Sequence, residues 1–250
     1  MSEPLRISSR QNDTIRRFRR LAAEGEFRRH EGEFIGAGRK LLAEAVSAGA
    51  DITGVLSTAA VAGVPTQLVT PEVLEYVSPL KTGDAPVFSV AFSAENQTMP
   101  REARCVLVLE NVQDPGNVGT VLRSADAFGL DAVILCGACA DPYSFKAVRA
   151  SMGAVFRQKV VQANITELPS LLQGLPLYGT ALHRDSVDIR SLPAGPKAMA
   201  IGNEGHGLSE ELLALCKGTV IIPMRPCAES LNAAVASAVV MWEMVREWQN

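Results

Sequence analysis

Residues 105–136 read CVLVLENVQDPGNVGTVLRSADAFGLDAVILC. The stretch opens on a compact apolar run, Cys105–Leu109, and closes on another, Ala132–Cys136, each the length of one buried strand. Between them Asp114, Pro115 and Gly116 mark a loop, and a helix is expected to open at about Asn117. Val118, Val121, Leu122, Ala125 and Phe128 recur at helical spacing and form one apolar stripe. Gly129 stands where a glycine ends a helix in left-handed backbone. Strand, loop, helix and strand in that order make the unit from which parallel sheets are built.

The same alternation runs to the end of the chain. Lys159–Val161, Pro176–Thr180, Ala198–Ile201 and Thr219–Ile222 are further apolar runs, and helices are expected near Phe145–Ala150, Leu168–Leu172, Ser209–Leu215 and Ser230–Glu247. The predicted fold class is α/β, a mostly parallel sheet with helices on both faces. Upstream the pattern differs. Asn12–Ala23 reads as a helix with an asparagine cap, and Gly38–Ala48 as a second with Leu41, Leu42 and Ala45 on one face. Short strands are expected at Asp51–Leu56, Thr66–Val69 and Val87–Phe92, followed by a polar stretch that runs to Pro100. The expected division is a small α/β domain over 1–92, a linker over 93–103 and a larger domain over 104–250.

Composition narrows the class. The 250 residues are 47% hydrophobic and 20% charged, as in ordinary globular proteins. Five scattered cysteines, an odd number, argue against a disulfide framework. No apolar run reaches the roughly 18 residues of a membrane span, and the first twenty residues lack the apolar core of a secretory signal, so a cytoplasmic location is expected. Net charge is −3, yet residues 1–40 hold ten basic and six acidic side chains, a surplus of four. Arg16, Arg17, Arg19, Arg20, Arg28 and Arg29 form most of this stripe, with Arg39 and Lys40 beyond it. Such a stripe is either a solvated helix face or a contact for nucleic-acid phosphates.

Three segments carry candidate chemistry. In the first, Arg123 falls roughly 140° from Val118 around the helix, opposite the core stripe. It faces either solvent, paired with Asp126, or a cleft above the carboxyl end of the sheet, where α/β folds place ligands. The second, IGNEGHGLS (201–209), runs from a buried strand through three glycines into a helix; such a loop lets backbone amides approach a flat ligand. Its G-x-x-G-x-G spacing departs from the dinucleotide fingerprint. The third, IIPMRPCAESLNAAV (221–235), places Ser230 and Asn232 at the mouth of the last helix, where a serine is often a simple N-cap. Cys136 and Cys139 have C-x-x-C spacing without a second ligand pair, and His30, His183 and His206 show no metal spacing, so no metal site is expected.

Taken together, NVGTVLRSADAFG (117–129), GNEGHGLS (202–209) and IPM with ESLNAAVA (222–224 and 229–236) resemble the three motifs of the SpoU family, the TrmH-like branch of the SPOUT methyltransferases. The likeness spans about 104–245, and KAVRASMGAVF (146–156) is similar to the family's connecting segment. The N-terminal part resembles a ribosomal-protein-like substrate-binding domain more loosely; FIGAGRKLLAEA (34–45) lacks the acidic residue that the family usually has before this glycine. The resemblance implies a C-terminal trefoil knot, which topology rules alone would not suggest. It further implies a homodimer, S-adenosylmethionine as methyl donor and RNA as substrate. Donor binding then falls to Thr180, Gly202, Asn203, Ile222 and Leu231, and catalysis and substrate binding to Asn117, Arg123, Glu204, Ser230 and Asn232. The reaction implied is methyl transfer to a ribose 2′-hydroxyl, with ribosomal (23S) RNA the expected substrate.

Two further features bear on this. The last helix is apolar on two sides, with Leu231, Val235, Ala238, Trp242 and Val245 on one stripe and Val240, Met241 and Met244 on another, so two surfaces are expected to cover it. The rival readings are transfer RNA as substrate, a nucleotide-binding oxidoreductase built on the glycine loop, and a non-catalytic RNA-binding protein.

Overall fold

The computed structural model describes residues 6–80, 85–183, 185–203, 205–225 and 230–246. Two sheets organise them. The first has four strands, β1 (Glu33–Ala37), β2 (Ile52–Ser57), β3 (Gln67–Leu68) and β4 (Val87–Ala91), in the order β1-β4-β2-β3. β4 runs antiparallel to both neighbours, and β2 pairs with β3 in parallel. Helices α1 (Asp13–Ala23) and α4 (Pro71–Val77) pack Ile15, Phe18, Leu21, Val73, Leu74 and Val77 on one face. The other face carries α2's neighbour in sequence, α3 (Arg39–Ser47), through Leu42 and Ala45; α2 itself spans Gly25–Glu31.

The second sheet has seven strands, β5 (Cys105–Glu110), β6 (Ala132–Cys136), β7 (Val160–Ala163), β8 (Leu177–Thr180), β9 (Val187–Asp188), β10 (Lys197–Ile201) and β11 (Gly218–Ile221). Their order is β7-β6-β5-β10-β8-β11-β9, and every pairing between them is parallel. Alternate residues of β5 feed opposite cores, because strand side chains alternate faces. Cys105, Leu107 and Leu109 meet α5 (Pro115–Phe128) and α9 (Ala233–Val245). Val106 and Val108 share the opposite core with α7 (Leu168–Leu172) and α8 (Glu210–Leu215). Helices thus cover both faces, as the apolar runs implied.

A third packing zone joins the sheets. Phe34, Phe88 and Val90 of the first pack against Tyr143, Val148, Val155 and Phe156, which lie on and around α6 (Phe145–Ser151). The polar stretch after β4 is built into this zone: Val160 N–H donates to the Asn96 carbonyl at 2.7 Å, and the Asn96 amide donates to the Phe156 carbonyl at 3.0 Å.

Several elements differ from the sequence expectation. Strand β1 and helices α2 and α4 were not expected, and β9 is too short to have a periodicity. Helix α5 opens at Pro115, two residues before Asn117, because Asp114 accepts from the Gly116 and Asn117 amides and so caps it. Helix α9 opens at Ala233, later than Ser230, because Asn232 and not Ser230 is its cap. Residue 247, where that helix was expected to end, lies outside the described residues. Val245, expected on one stripe with Val235 and Trp242, is buried while those two are exposed, and Val239 is exposed as well.

Candidate functional site

The carboxyl ends of β8, β10 and β11 open into one cleft of about 1150 Å³. Thr180, Gly202, Asn203, Ile222 and Leu231 all line it, together with Ser230. Most of the wall is apolar, with Ile201, Leu208, Leu213 and Val220 behind a few polar groups. Thr180 Oγ1 donates to the Ala200 carbonyl at 3.0 Å, which fixes the β8 edge against β10. Ligand sites of α/β sheets lie at this edge because the strands end there and their loops diverge.

The glycine loop is held by a hub that the sequence did not reveal. Asn203 and Gly207 form an antiparallel bridge, donating to each other's carbonyls at 3.2 and 2.9 Å. A Cβ on Gly202 would stand 2.1 Å from the Gly207 carbonyl, so only glycine lets the loop fold back this tightly. Asn203 Oδ1 accepts from Gly205 N–H, and its Nδ2 donates to the Asn111 carbonyl at 3.0 Å. Its side chain and backbone together therefore shape the loop that lines the cleft. Asn111 sits in left-handed backbone at φ 56°, which asparagine tolerates better than most residues. Its own Oδ1 accepts from Ala138 N–H at 2.7 Å, tying the end of β5 to the loop after β6.

Glu110 completes the support. It is buried, and its two carboxylate oxygens accept from Ser209 N–H at 2.8 Å and Ser209 Oγ–H at 2.6 Å. Ser209 in turn caps α8. The only cue in the sequence was a carboxylate at the end of an apolar strand, and its partner lies 99 positions away.

Beside the cleft, the N-termini of α5 and α9 meet. Asn232 Oδ1 accepts from Ala234 and Val235 N–H, and its Nδ2 donates to Asn117 Oδ1 at 3.1 Å. Asp114, at the cap of α5, also accepts from Lys146 Nζ at 2.7 Å; that ammonium holds the Asp114 carboxyl below the usual carboxylate range. Arg123 lies six residues along α5 from Asn117, about 9 Å along the helix axis. It is exposed, and Asp126, its expected partner, is taken by Arg157 at 2.8 Å. Glu204 lies outside the described residues.

Cys136 and Cys139 are free thiols. Cys139 Sγ–H donates to the carbonyls of Cys136 and Leu109, and burial pushes the Cys136 thiol up to about 12. No group of three metal-ligating side chains occurs among the described residues. Nor is any described helix long and apolar enough to cross a membrane.

The basic stripe is less uniform than the sequence implied. Arg16, Arg19, Arg20 and Arg29 are exposed. Arg16 pairs with Asp13, Arg20 with Glu24, and Arg19 lies over the Tyr76 ring at 4.8 Å. Arg17 is half-buried between Glu31 and Glu33. Arg28 is corrected most: it is 5% exposed and donates from Nε and Nη2 to Asp141 at 2.9 and 2.7 Å. A guanidinium so enclosed has no face left for RNA, and it serves instead to tie α2 to the second sheet.

Residues 104–242 match the SpoU rRNA Methylase family. The chain belongs to that family. It is 32% identical to an uncharacterised tRNA/rRNA methyltransferase of Synechocystis, over 96% of this chain and 93% of the relative. It is 38% identical to the 23S rRNA (guanosine(2553)-2′-O)-methyltransferase of Bacillus subtilis, over 62% of this chain and 69% of that one. Among solved structures, an AdoMet-bound rRNA methyltransferase from Sinorhizobium meliloti superposes with a TM-score of 0.86 at 28% identity, covering 97% of this chain and 98% of that one. The three SpoU motifs are the three loops that meet here: the turn into α5, the glycine loop, and the turn into α9. Glu110 and Asn111 open the first of these segments, and their part as the brace beneath the loops is what the sequence did not show.

Proposed function

We propose that this chain transfers a methyl group from S-adenosylmethionine to a ribose 2′-hydroxyl of RNA, with ribosomal (23S) RNA the favoured substrate. The observation that carries this reading is that the glycine loop and the turn into α9 line one cleft whose wall is apolar with a few polar groups, which suits a nucleoside, while the turn into α5 is bonded to its rim through Asn117 and Asn232. S-adenosylmethionine supplies an electrophilic methyl group when bound. Thr180, Gly202, Asn203, Ile222 and Leu231 would hold it, largely through backbone groups.

Asn117 and Asn232, bonded to each other, hold the mouths of two helices in fixed relation. Ser230, on the same rim, and Glu204 are assigned to the substrate side. Arg123 orients the ribose hydroxyl and its adjoining phosphate; an arginine side chain donates and has no lone pair to accept a proton. The 2′-oxygen's proton then passes to phosphate or water. Much of the rate enhancement in such an arrangement comes from positioning.

The finer architecture belongs to the same proposal. The chain after β11 returns through the loops of the sheet as a trefoil knot, which fits the late insertion of β10 between β5 and β8. The first sheet, 1–92, acts as the RNA-binding domain, joined by 93–103 to the methyltransferase domain, 104–250. Arg16, Arg19 and Arg20 remain its phosphate contacts, with Arg17 able to exchange partners, and Arg29 faces the RNA from α2. A second copy of the chain covers the exposed Val235, Val239 and Trp242 of α9, and the enzyme works in the cytoplasm.

The test is tritiated-methyl transfer to total RNA, followed by mapping of 2′-O-methyl sites. Incorporation at a ribose of 23S RNA is expected. Incorporation into transfer RNA alone would redirect the substrate, and calorimetric binding of NAD in preference to S-adenosylmethionine would overturn the reaction class.

A further inference from the structure

A second hollow opens on the same edge of the parallel sheet, on the other side of β5. It has two adjoining lobes of about 740 and 720 Å³ that share Arg29, Asp141 and Gln162. One lobe lies at the carboxyl ends of β6 and β7 and adds Asn164 and Glu167. The other reaches the seam between the two sheets and adds Phe92 and Tyr143. The lobe at β6 and β7 is three to four strand spacings from the methyl-donor cleft, roughly 17 Å.

The side chains here are prepared and unused. Arg29 and Gln162 are both exposed, and neither has a hydrogen bond or ion pair among the described residues. Their neighbours are fixed. Asp141 is held by the buried Arg28 and accepts from Tyr143 N–H through its other oxygen. Glu167 closes a capping box with Asn164. The Phe92 and Tyr143 rings stack at 4.4 Å, and Phe92 is partly exposed. A free guanidinium plane and a ring edge offer stacking surfaces, and a free amide offers a donor and an acceptor on one plane. The two carboxylates repel a bare phosphate, and they accept from N–H groups.

We infer that this hollow binds an unpaired nucleobase bearing an exocyclic amino group, one or a few nucleotides from the methylated ribose. The inference rests on RNA being the substrate. Arg29 stacks on the base, Gln162 reads its edge, and Asp141 or Glu167 accepts from its amino group. Arg28 contributes indirectly, by fixing Asp141 and the angle between the sheets.

The full chain is titrated with fluorescently labelled single-stranded RNA tetramers, A4, C4 and U4, and assayed for methyl transfer to RNA. A4 or C4 is expected to bind at least about five-fold more tightly than U4, and Arg29→Ala and Gln162→Leu each to remove most of that preference. Both variants are expected to raise the KM for RNA by more than they lower kcat, with unchanged melting temperatures. Equal binding of all three tetramers, variants that bind like the parent, or displacement of the tetramers by millimolar inorganic phosphate would each overturn the base site. A parent chain that binds tetramers selectively yet transfers no methyl group would leave the base site standing and refute the proposed reaction.

Discussion

The two sheets put their polar side chains to different uses. Around the carboxyl edge of the parallel sheet, Glu110, Asn111 and Asn203 hold backbone amides or carbonyls of a neighbouring loop, and Asp114 and Asn232 cap the helices that they open. On α1, Arg16 and Arg20 pair with carboxylates three and four residues away, on a surface where water competes for both partners. A small ligand of fixed shape demands a backbone fixed before it arrives. A large polyanion demands cations that exchange partners at little cost. Arg28 is the exception that proves instructive, since it belongs to the basic stripe in sequence and to the bracing network in space.

The strongest challenge to this division is Arg123→Ala. Arg123 is exposed and braces nothing among the described residues, so methyl transfer is expected to fall by about a thousand-fold or more while the Kd for S-adenosylmethionine stays within a few-fold in calorimetry. Equal loss of donor binding would place Arg123 among the bracing residues. Next comes Arg28→Ala, which leaves the Asp141 carboxylate without its enclosed partner. Urea unfolding is expected to show a loss of about 3 kcal/mol, whereas Arg16→Ala should lie within about 0.5 kcal/mol of the parent. Equal effects would erase the distinction between the two kinds of arginine.

Gly202→Ala tests the backbone side of the comparison. With its Cβ 2.1 Å from Gly207 the loop must open, and donor affinity is expected to fall roughly ten- to hundred-fold, with a smaller loss of stability. A loop that binds the donor unchanged would show that the fold-back is dispensable. For the helix face, Trp242→Glu is expected to give monomers in light scattering, because that ring is 52% exposed on the stripe assigned to a second copy. The smallest effect is expected at Lys146. The Asp114 carboxyl has a lowered pKa, so its contribution is present above the ordinary carboxylate range, near pH 4, and is lost as pH falls below it. Lys146→Ala should shift acid unfolding to slightly higher pH and cost less than about 1 kcal/mol at neutral pH.

The parallel half was legible because its strands are buried on both faces and read as unbroken apolar runs such as VLVL and VIL. The N-terminal half was harder. Strand β1, EFIGA, contains a glycine and is followed by a second, which interrupts its short apolar run, while α2, GEFRRHE, is too charged and short to show a stripe. At the site, the lining residues were legible through their motifs. The braces were not, because hydrogen bonds join Glu110 to Ser209 and Asn111 to Asn203 across some ninety residues, and one chain carries no mark of such pairings. The Arg28–Asp141 pair, 113 residues apart, was hidden for the same reason.

The strand order has a consequence for biosynthesis. β8 finds no partner in β5, β6 or β7; its neighbours are β10 and β11, which emerge later from the ribosome. β5 likewise keeps one edge open until β10 arrives about ninety residues after it. At roughly 5–20 residues per second, that edge stays unpaired for about 5–20 seconds. During this interval the nascent chain carries an apolar strand edge, the kind of surface that invites aggregation. The half-made sheet is therefore a natural client for chaperones that bind at the tunnel exit.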